Sequence, residues 1–259
     1  MGSSFKSGNT FLDNMQNLHL IVGLGLVPGW EGFRKFGMNP VIDSGTEQIW
    51  PPGTIQVLPA AAGVVTAVSD SADDVMTTGT GGWLLTVEGL DADYVPVTET
   101  FEMNGLTGVV GSTSMLRIIR SYFTSAGTGE QNAGNISMTI GGDLQSYIEA
   151  TEGQCHCAQY TVPADKLLVL DSYIVTAGRQ NTADLAVQYQ IKPTGANQIW
   201  RSFSDVYPYE TQYVQFGSTT VVIPEKTDIR ILAVATANGL NASAEYSGFL
   251  IDSGAWNNR

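Results

Sequence analysis

Apolar and polar positions alternate with a period of two through much of the chain. Val97, Glu99, Phe101 and Met103 alternate with Thr98, Thr100 and Glu102, the pattern of a strand with one face toward a core. Trp83, Leu85 and Val87 share one face of an earlier strand, and residues 64–68 form a short β-branched run. Residues 117–124 and 135–140 read as further strands, separated by Ala126-Gly127-Thr128-Gly129 and closed by Gly141-Gly142. Leu185, Val187, Tyr189 and Ile191 line one face of a strand in the second half. Pro163-Ala164-Asp165-Lys166 and Pro224-Glu225-Lys226-Thr227 read as loops built on the fixed φ of proline, each before an apolar run, 167–170 and 229–234. Residues 244–251 supply a last strand. Asp91-Ala92-Asp93 predicts a turn, and Asn104-Gly105 predicts a two-residue hairpin of type I′. No amphipathic pattern of three helical turns stands out.

Strands spaced every ~8–12 residues with turn signals between them predict an all-β protein with two β-sandwich or jelly-roll-like domains. The first is expected over 51–150 and the second over 151–259, with the boundary at 149–153. Residues 1–50 carry little regular alternation and are expected to form an N-terminal arm. Within it Leu18, Leu20, Val22, Leu24 and Leu26 alternate and predict one strand. That apolar row, with Trp30 and Phe33, needs cover, since an exposed apolar row is a liability; it is expected to lie against the protein's own domains or, the favoured reading, to dock in part on a neighbouring subunit or the particle. Gln-Ile-Trp occurs at 48–50 and again at 198–200, too short a match to define a repeat.

Composition narrows the functional classes. The 29 glycines show no collagen period and suit many turns between short strands. A net charge of −13 with no basic stripe argues against nucleic acid as a partner. The first residues lack a secretory signal. The most apolar early stretch, 18–27, is about half the ~20 residues of a spanning helix, so no membrane association is expected. Two cysteines are too few for a disulfide framework. Asn135-Ile136-Ser137 and Asn241-Ala242-Ser243 match the glycosylation acceptor pattern and, without an export signal, read as coincidence.

Candidate chemistry is sparse. Cys155-His156-Cys157 attracts attention as a metal motif, but a zinc site takes four ligands, and the only other histidine is His19. On a strand the two cysteines face one way and His156 the other, so no metal is expected. Asp70, Asp73, Asp74, Asp91 and Asp93 lack the spacing of an EF-hand and read as turn residues. No nucleophile elbow and no cysteine with a plausible distant histidine base is present, and nothing selects one carboxylate pair from many. Gly79-Thr80-Gly81-Gly82 lacks the lysine of a phosphate loop. No catalytic residue and no cofactor are therefore expected. Among the tryptophans, Trp83 sits in an apolar row and reads as core, whereas Trp50 and Trp256 are candidates for contact surfaces, with local packing as the alternative. The expected interface set is Leu20, Val22, Leu24, Leu26, Trp30, Trp50 and Trp256.

Three stretches carry a family likeness. They are Lys35-Phe36-Gly37-Met38-Asn39-Pro40 followed by Glu47-Gln48-Ile49-Trp50; Val87-Glu88-Gly89-Leu90-Asp91-Ala92-Asp93-Tyr94 followed by Thr98-Glu99-Thr100 and Asn104-Gly105; and Ile223-Pro224-Glu225-Lys226-Thr227-Asp228-Ile229. In this order they resemble a family of structural proteins of tailed phages, notably marine ones, across about residues 35–251. The family's usual residue at position 93 is asparagine, and Cys155-His156-Cys157 is peculiar to this chain. The resemblance implies a virion component present in many copies, a capsid decoration or head–tail accessory. Its partners would be other virion proteins and further copies of itself, and it implies no enzymatic activity. The rival readings are a receptor- or glycan-binding fibre or spike component, which requires exposed aromatic residues in a groove, and a glycan depolymerase, which requires two carboxylates ~5–9.5 Å apart in a cleft.

Overall fold

The computed structural model describes residues 18–178, 184–195, 197–208 and 212–254, the side chains of 212–219 excepted. The architecture is all-β, built of antiparallel sheets. Two strands open the described chain, β1 (Trp30–Ile42) and β2 (Gly45–Gln48). The next seven are β3 (Gly63–Ser69), β4 (Gly82–Leu90), β5 (Pro96–Glu102), β6 (Val109–Met115), β7 (Arg117–Ala126), β8 (Ile136–Ile140) and β9 (Asp143–Ile148). They form two sheets of order β6-β3-β8-β9 and β5-β4-β7. The sheets face each other across a core of Val65, Ala67, Leu85, Val87, Phe101 and Met138 with their neighbours, an arrangement in which each strand buries alternate residues.

The remaining strands are β10 (Tyr160–Thr161), β11 (Lys166–Gly178), β12 (Leu185–Pro193), β13 (Arg201–Val206), β14 (Gln212–Ile223), β15 (Thr227–Ala235) and β16 (Leu240–Asp252). With β1 and β2 they make a second sandwich. One sheet has the order β1-β16-β11-β14; the other has β10-β15-β12-β13, with β2 also on β15. Leu168, Leu170, Val187, Tyr189, Ile229, Ile231 and Tyr246 fill the space between them.

The expected arm is thus not an arm from residue 30 onward. β1 runs antiparallel to β16 from Trp30↔Ile251 to Ile42↔Leu240, joining the start of the described chain to its end. The expected strand at 18–26 is a short helix over 18–23. Leu26 N donates to Ile21 O and Gly25 N to Val22 O, both at 2.9 Å, and Gly25 adopts φ +70°. This is the Schellman closure that glycine permits. Leucines two apart then point to opposite sides. Leu18 and Val22 face Phe249 and Ile251 on the outer face of β16, while Leu20 and Leu24 face out.

Asn104-Gly105 is not a two-residue hairpin. Gly105 has φ +59°, but Asn104 is not in the left-handed region that a type I′ turn requires. The residues around it cross from β5 in one sheet to β6 in the other. The two-residue hairpin lies at Gly141-Gly142, with φ +62° and +95°, between Ile140 and Asp143.

Two features hold the sandwiches together. Arg117 at the start of β7 forms a two-pronged, buried ion pair with Asp228 of β15, at 2.9 and 3.1 Å. Its Nη1 donates to the carbonyls of Pro59 and Leu116, and Thr161 donates to Asp228 at 2.6 Å. A buried pair bonded in this way resists separation because losing either partner strands a charge. The second feature is a run of buried amides. Gln48 Nε2 donates to Gln56 Oε1 at 2.6 Å, and Gln56 Nε2 donates to the carbonyl of Gln145 on β9 at 2.8 Å.

Candidate functional site

The segment 153–158 links the sandwiches and positions the site. Cys155 N donates to Ser121 O and Phe123 N to Gly153 O, so the segment lies along the free edge of β7. Further on, Met38 N donates to His156 O at 3.2 Å, so it also reaches the outer edge of β1. Gly37 permits this approach, since a Cβ there would run into the backbone of Ile49 and Ala158.

Beside this segment a groove runs over the outer face of the β1-β16-β11 sheet. Its central cleft, about 490 Å³, is lined by residues that include Arg34, Phe36, Met38, Gln154, His156 and Glu245. A smaller cleft of about 230 Å³ shares Arg34, Phe36 and Gln154 and adds Lys35, Arg120 and Cys155. A third, about 260 Å³, shares Met38, Thr176 and Ser243 and continues to Pro40, Gly178 and Asn241. Side-chain alternation explains the floor. Arg34, Phe36 and Met38 point outward on β1, opposite Ser247, Glu245 and Ser243 of β16. Farther along β16 the same face carries Phe249 and Ile251, which the 18–23 helix covers.

The small cleft is basic. Arg34 makes a two-pronged pair with Glu245, both contacts 2.7 Å, which raises its pKa through the hydrogen bonds and charge of that carboxylate. Lys35 Nζ donates to the carbonyl of Ile119. The guanidinium of Arg120 sits 4.4 Å from the Tyr122 ring centroid. No carboxylate lines this cleft among the described residues.

Cys155, His156 and Cys157 diverge, and they lie on an irregular segment, not on the expected strand. Cys155 belongs to the core of the first sandwich. Burial pushes its thiol up, but the charge of Lys35 and hydrogen bonds from Ser121 and Ser146 outweigh this and leave its pKa lowered. Cys157 faces Gln56, and burial raises it to about 12. The His156 ring lies 5.5 Å from that of Phe36, with Nδ1 3.8 Å from Glu152. Among the described residues no three His, Cys, Asp or Glu side chains are grouped to hold a metal ion.

Three of the turn aspartates, Asp70, Asp74 and Asp91, accept hydrogen bonds from nearby N–H and O–H donors. Asp74 is fully buried and accepts from Gly82 N, Ala133 N, Gly134 N and Ser69 Oγ. Asp70 accepts from Asn135, and Asp91 Oδ1 from the backbone of Asp93 and Val95.

The expected interface residues separate. Leu20, Leu24 and Leu26 are 60%, 63% and 67% exposed. Val22 is buried under the helix, and Trp30 is half-buried with its ring 5.6 Å from that of Phe249. Trp50 is not a contact surface. It is 1% exposed, and its Nε1 donates to Thr54 O at 2.6 Å. The other Gln-Ile-Trp has a different setting, with Ile199 69% exposed and Trp200 beneath the guanidinium of Arg230 at 4.0 Å. Trp256 lies outside the described residues. Sequence reasoning missed the groove residues Arg34, Lys35, Phe36, Arg120 and Gln154. The available signal was Arg34-Lys35, the only adjacent pair of bases in the chain.

No family model and no curated protein matches the chain. Among solved structures, it is similar to the T13 viral particle of infectious bursal disease virus at 12% identity and a TM-score of 0.25, covering 87% of this chain and 68% of that one. The VP2 subviral particle of that virus gives 10% identity and 0.26, covering 89% and 75%. The T=1 particles derived from it give 13% and 0.26, covering 88% and 72%. At such scores neither fold nor role follows from the likeness. No helix among the described residues is long and apolar enough to cross a membrane.

Proposed function

We propose that this protein is a non-enzymatic structural component of a tailed-phage virion, present in many copies as a capsid decoration or head–tail accessory. It acts through contacts with other virion proteins and with further copies of itself. The observation that supports this reading most is where the residues of the family resemblance lie. Gly37 admits the linking segment, Asn39 Nδ2 donates to Glu47 at 2.7 Å, and Trp50 is in the core. Asp91 closes a turn, Lys226 takes φ +55°, and Asp228 holds Arg117. Each specifies architecture, so the shared features are those of a scaffold. A scaffold works through surfaces, and the exposed Leu20, Leu24 and Leu26 are the contact that this reading assigns to a second copy.

The test is to locate the protein in purified particles by mass spectrometry and cryo-electron microscopy, with sedimentation of the isolated chain. Many symmetric copies on the particle support the reading, and absence from particles refutes it. Leu20→Asp with Leu24→Asp is expected to abolish self-association. A double variant that still self-associates removes the leucines from the interface.

A further inference from the structure

We propose that the groove over the β1-β16-β11 face binds an acidic oligosaccharide, with an anionic group seated in the small cleft among Arg34, Lys35 and Arg120. This goes beyond the structural role and does not depend on it.

Charge carries the first step. The chain holds 12 Lys and Arg against 25 Asp and Glu, yet three of those bases line one cleft of about 230 Å³ with no carboxylate in its lining. Arg34 is neutralised by Glu245 and Arg120 stands across from Glu88 of β4, but Lys35 reaches only a carbonyl, which does not cancel its charge. Three bases beside two carboxylates leave the cleft net positive, and an anion relieves the excess. The Gln154 amide stands at the same place and is suited to orient a carboxylate or sulfate.

The rest of the groove suits the body of a sugar chain. Phe36 is 36% exposed, and its ring offers an apolar face beside His156. Thr176, Ser243 and Asn241 follow it, side chains that donate and accept hydrogen bonds to hydroxyls. From Arg34 to Pro40 the strand rise gives a length of roughly 20 Å, the span of a short oligosaccharide. An extended peptide is a poorer occupant. The floor strands are paired with one another, and the outer edge of β1 already meets the 156–158 segment, so little backbone is free for strand addition. A nucleic-acid strand meets only a short basic patch on a protein of net charge −13.

The test is isothermal titration of the full chain with sialyllactose, tetragalacturonate, a chondroitin sulfate tetrasaccharide, neutral maltotetraose and inorganic sulfate. The first two present carboxylates and the third presents sulfate, which identifies the anionic group. At least one acidic saccharide is expected to bind ten times or more tighter than maltotetraose and inorganic sulfate. Arg120→Ser changes an exposed residue and should weaken that binding at least tenfold without moving the thermal midpoint. Phe36→Ala should weaken it severalfold, and Arg201→Ser, on the exposed β13 of the opposite sheet, should leave it unchanged. The proposal fails if no acidic saccharide binds, if sulfate alone binds as tightly, or if Arg201→Ser weakens binding as much as Arg120→Ser. Absence of saccharide binding by the unaltered chain, with attachment to particles intact, overturns this site and leaves the structural role standing.

Discussion

The two sandwiches reach the same architecture by different routes. The first is made of β3 to β9, a continuous run from residue 63 to 148, so all of its pairings fall within that one stretch. The second is assembled from β1 and β2 together with β10 to β16, and its β1–β16 pair joins residues about two hundred positions apart. Both bury alternate residues of facing sheets, so burial pattern does not distinguish them. Dependence on chain ends does. A domain closed by distant strands pays a larger loop-closure entropy before its contacts form. It also loses a sheet edge when one end is removed.

Deletion of residues 1–42 tests that dependence most severely. It removes β1, leaves the edge of β16 bare, and takes Phe33 from beside Tyr160 and Tyr246, where the rings lie 4.7 and 5.6 Å apart. Hydrogen exchange should then show β11, β12 and β16 unprotected while β3, β4 and β8 stay protected. Protection retained in β16 would show that the second sandwich closes without its first strand.

Next in size is the junction between the two. Asp228→Ala leaves Arg117 buried without its partner and should lower stability by about 3–5 kcal/mol in denaturant unfolding. Joint replacement by Arg117→Met and Asp228→Leu should recover most of that loss, since it strands no charge. A single-variant effect under about 1 kcal/mol would mean that water reaches the pair and screens it.

A smaller effect compares two glycines of β1. Gly37→Val drives a side chain into the backbone of Ile49 and Ala158 and should cost about 1–3 kcal/mol. Gly32→Val meets nothing within 4 Å and should stay within about 0.5 kcal/mol of wild type. Equal effects would mean that residue 37 does not set the approach of the linking segment.

The smallest change falls in the first sandwich. Glu99 on β5 accepts from Ser112 N, Ser112 Oγ and Thr113 N of β6, binding the edge strands of its two sheets. Glu99→Ala should cost about 1–2 kcal/mol. Thermal unfolding that does not shift would show those edges to be held by other contacts.

The sequence by itself determined the all-β class and many individual strands. β3, β4, β8, β12, β15 and β16 carry apolar or small residues at every second position, because their inner faces meet an apolar sheet. The loops at Pro163 and Pro224 were legible for an equally local reason. Proline fixes φ, and the next turns place Asp165 and Lys226 at φ +59° and +55°.

What only the tertiary structure decided lies where a face meets something other than side-chain carbon. The inward positions of β1 include Lys35, Gly37 and Asn39, which face a carbonyl, a neighbouring backbone and a carboxylate. No hydrophobic period can record such a surface, so the strand read as an arm. Leucines two apart at 18–26 matched a strand, but Gly25 closed a helix there, and helical geometry buried Leu18 and Val22 while exposing Leu20 and Leu24. The candidate site follows the same rule. Arg34-Lys35 was visible as a pair of bases, but Arg120 and Gln154 join it only because the linking segment lies between β7 and β1. Local periodicity reports what one element buries, whereas a groove is made by elements distant in sequence, and its chemistry exists only once they meet.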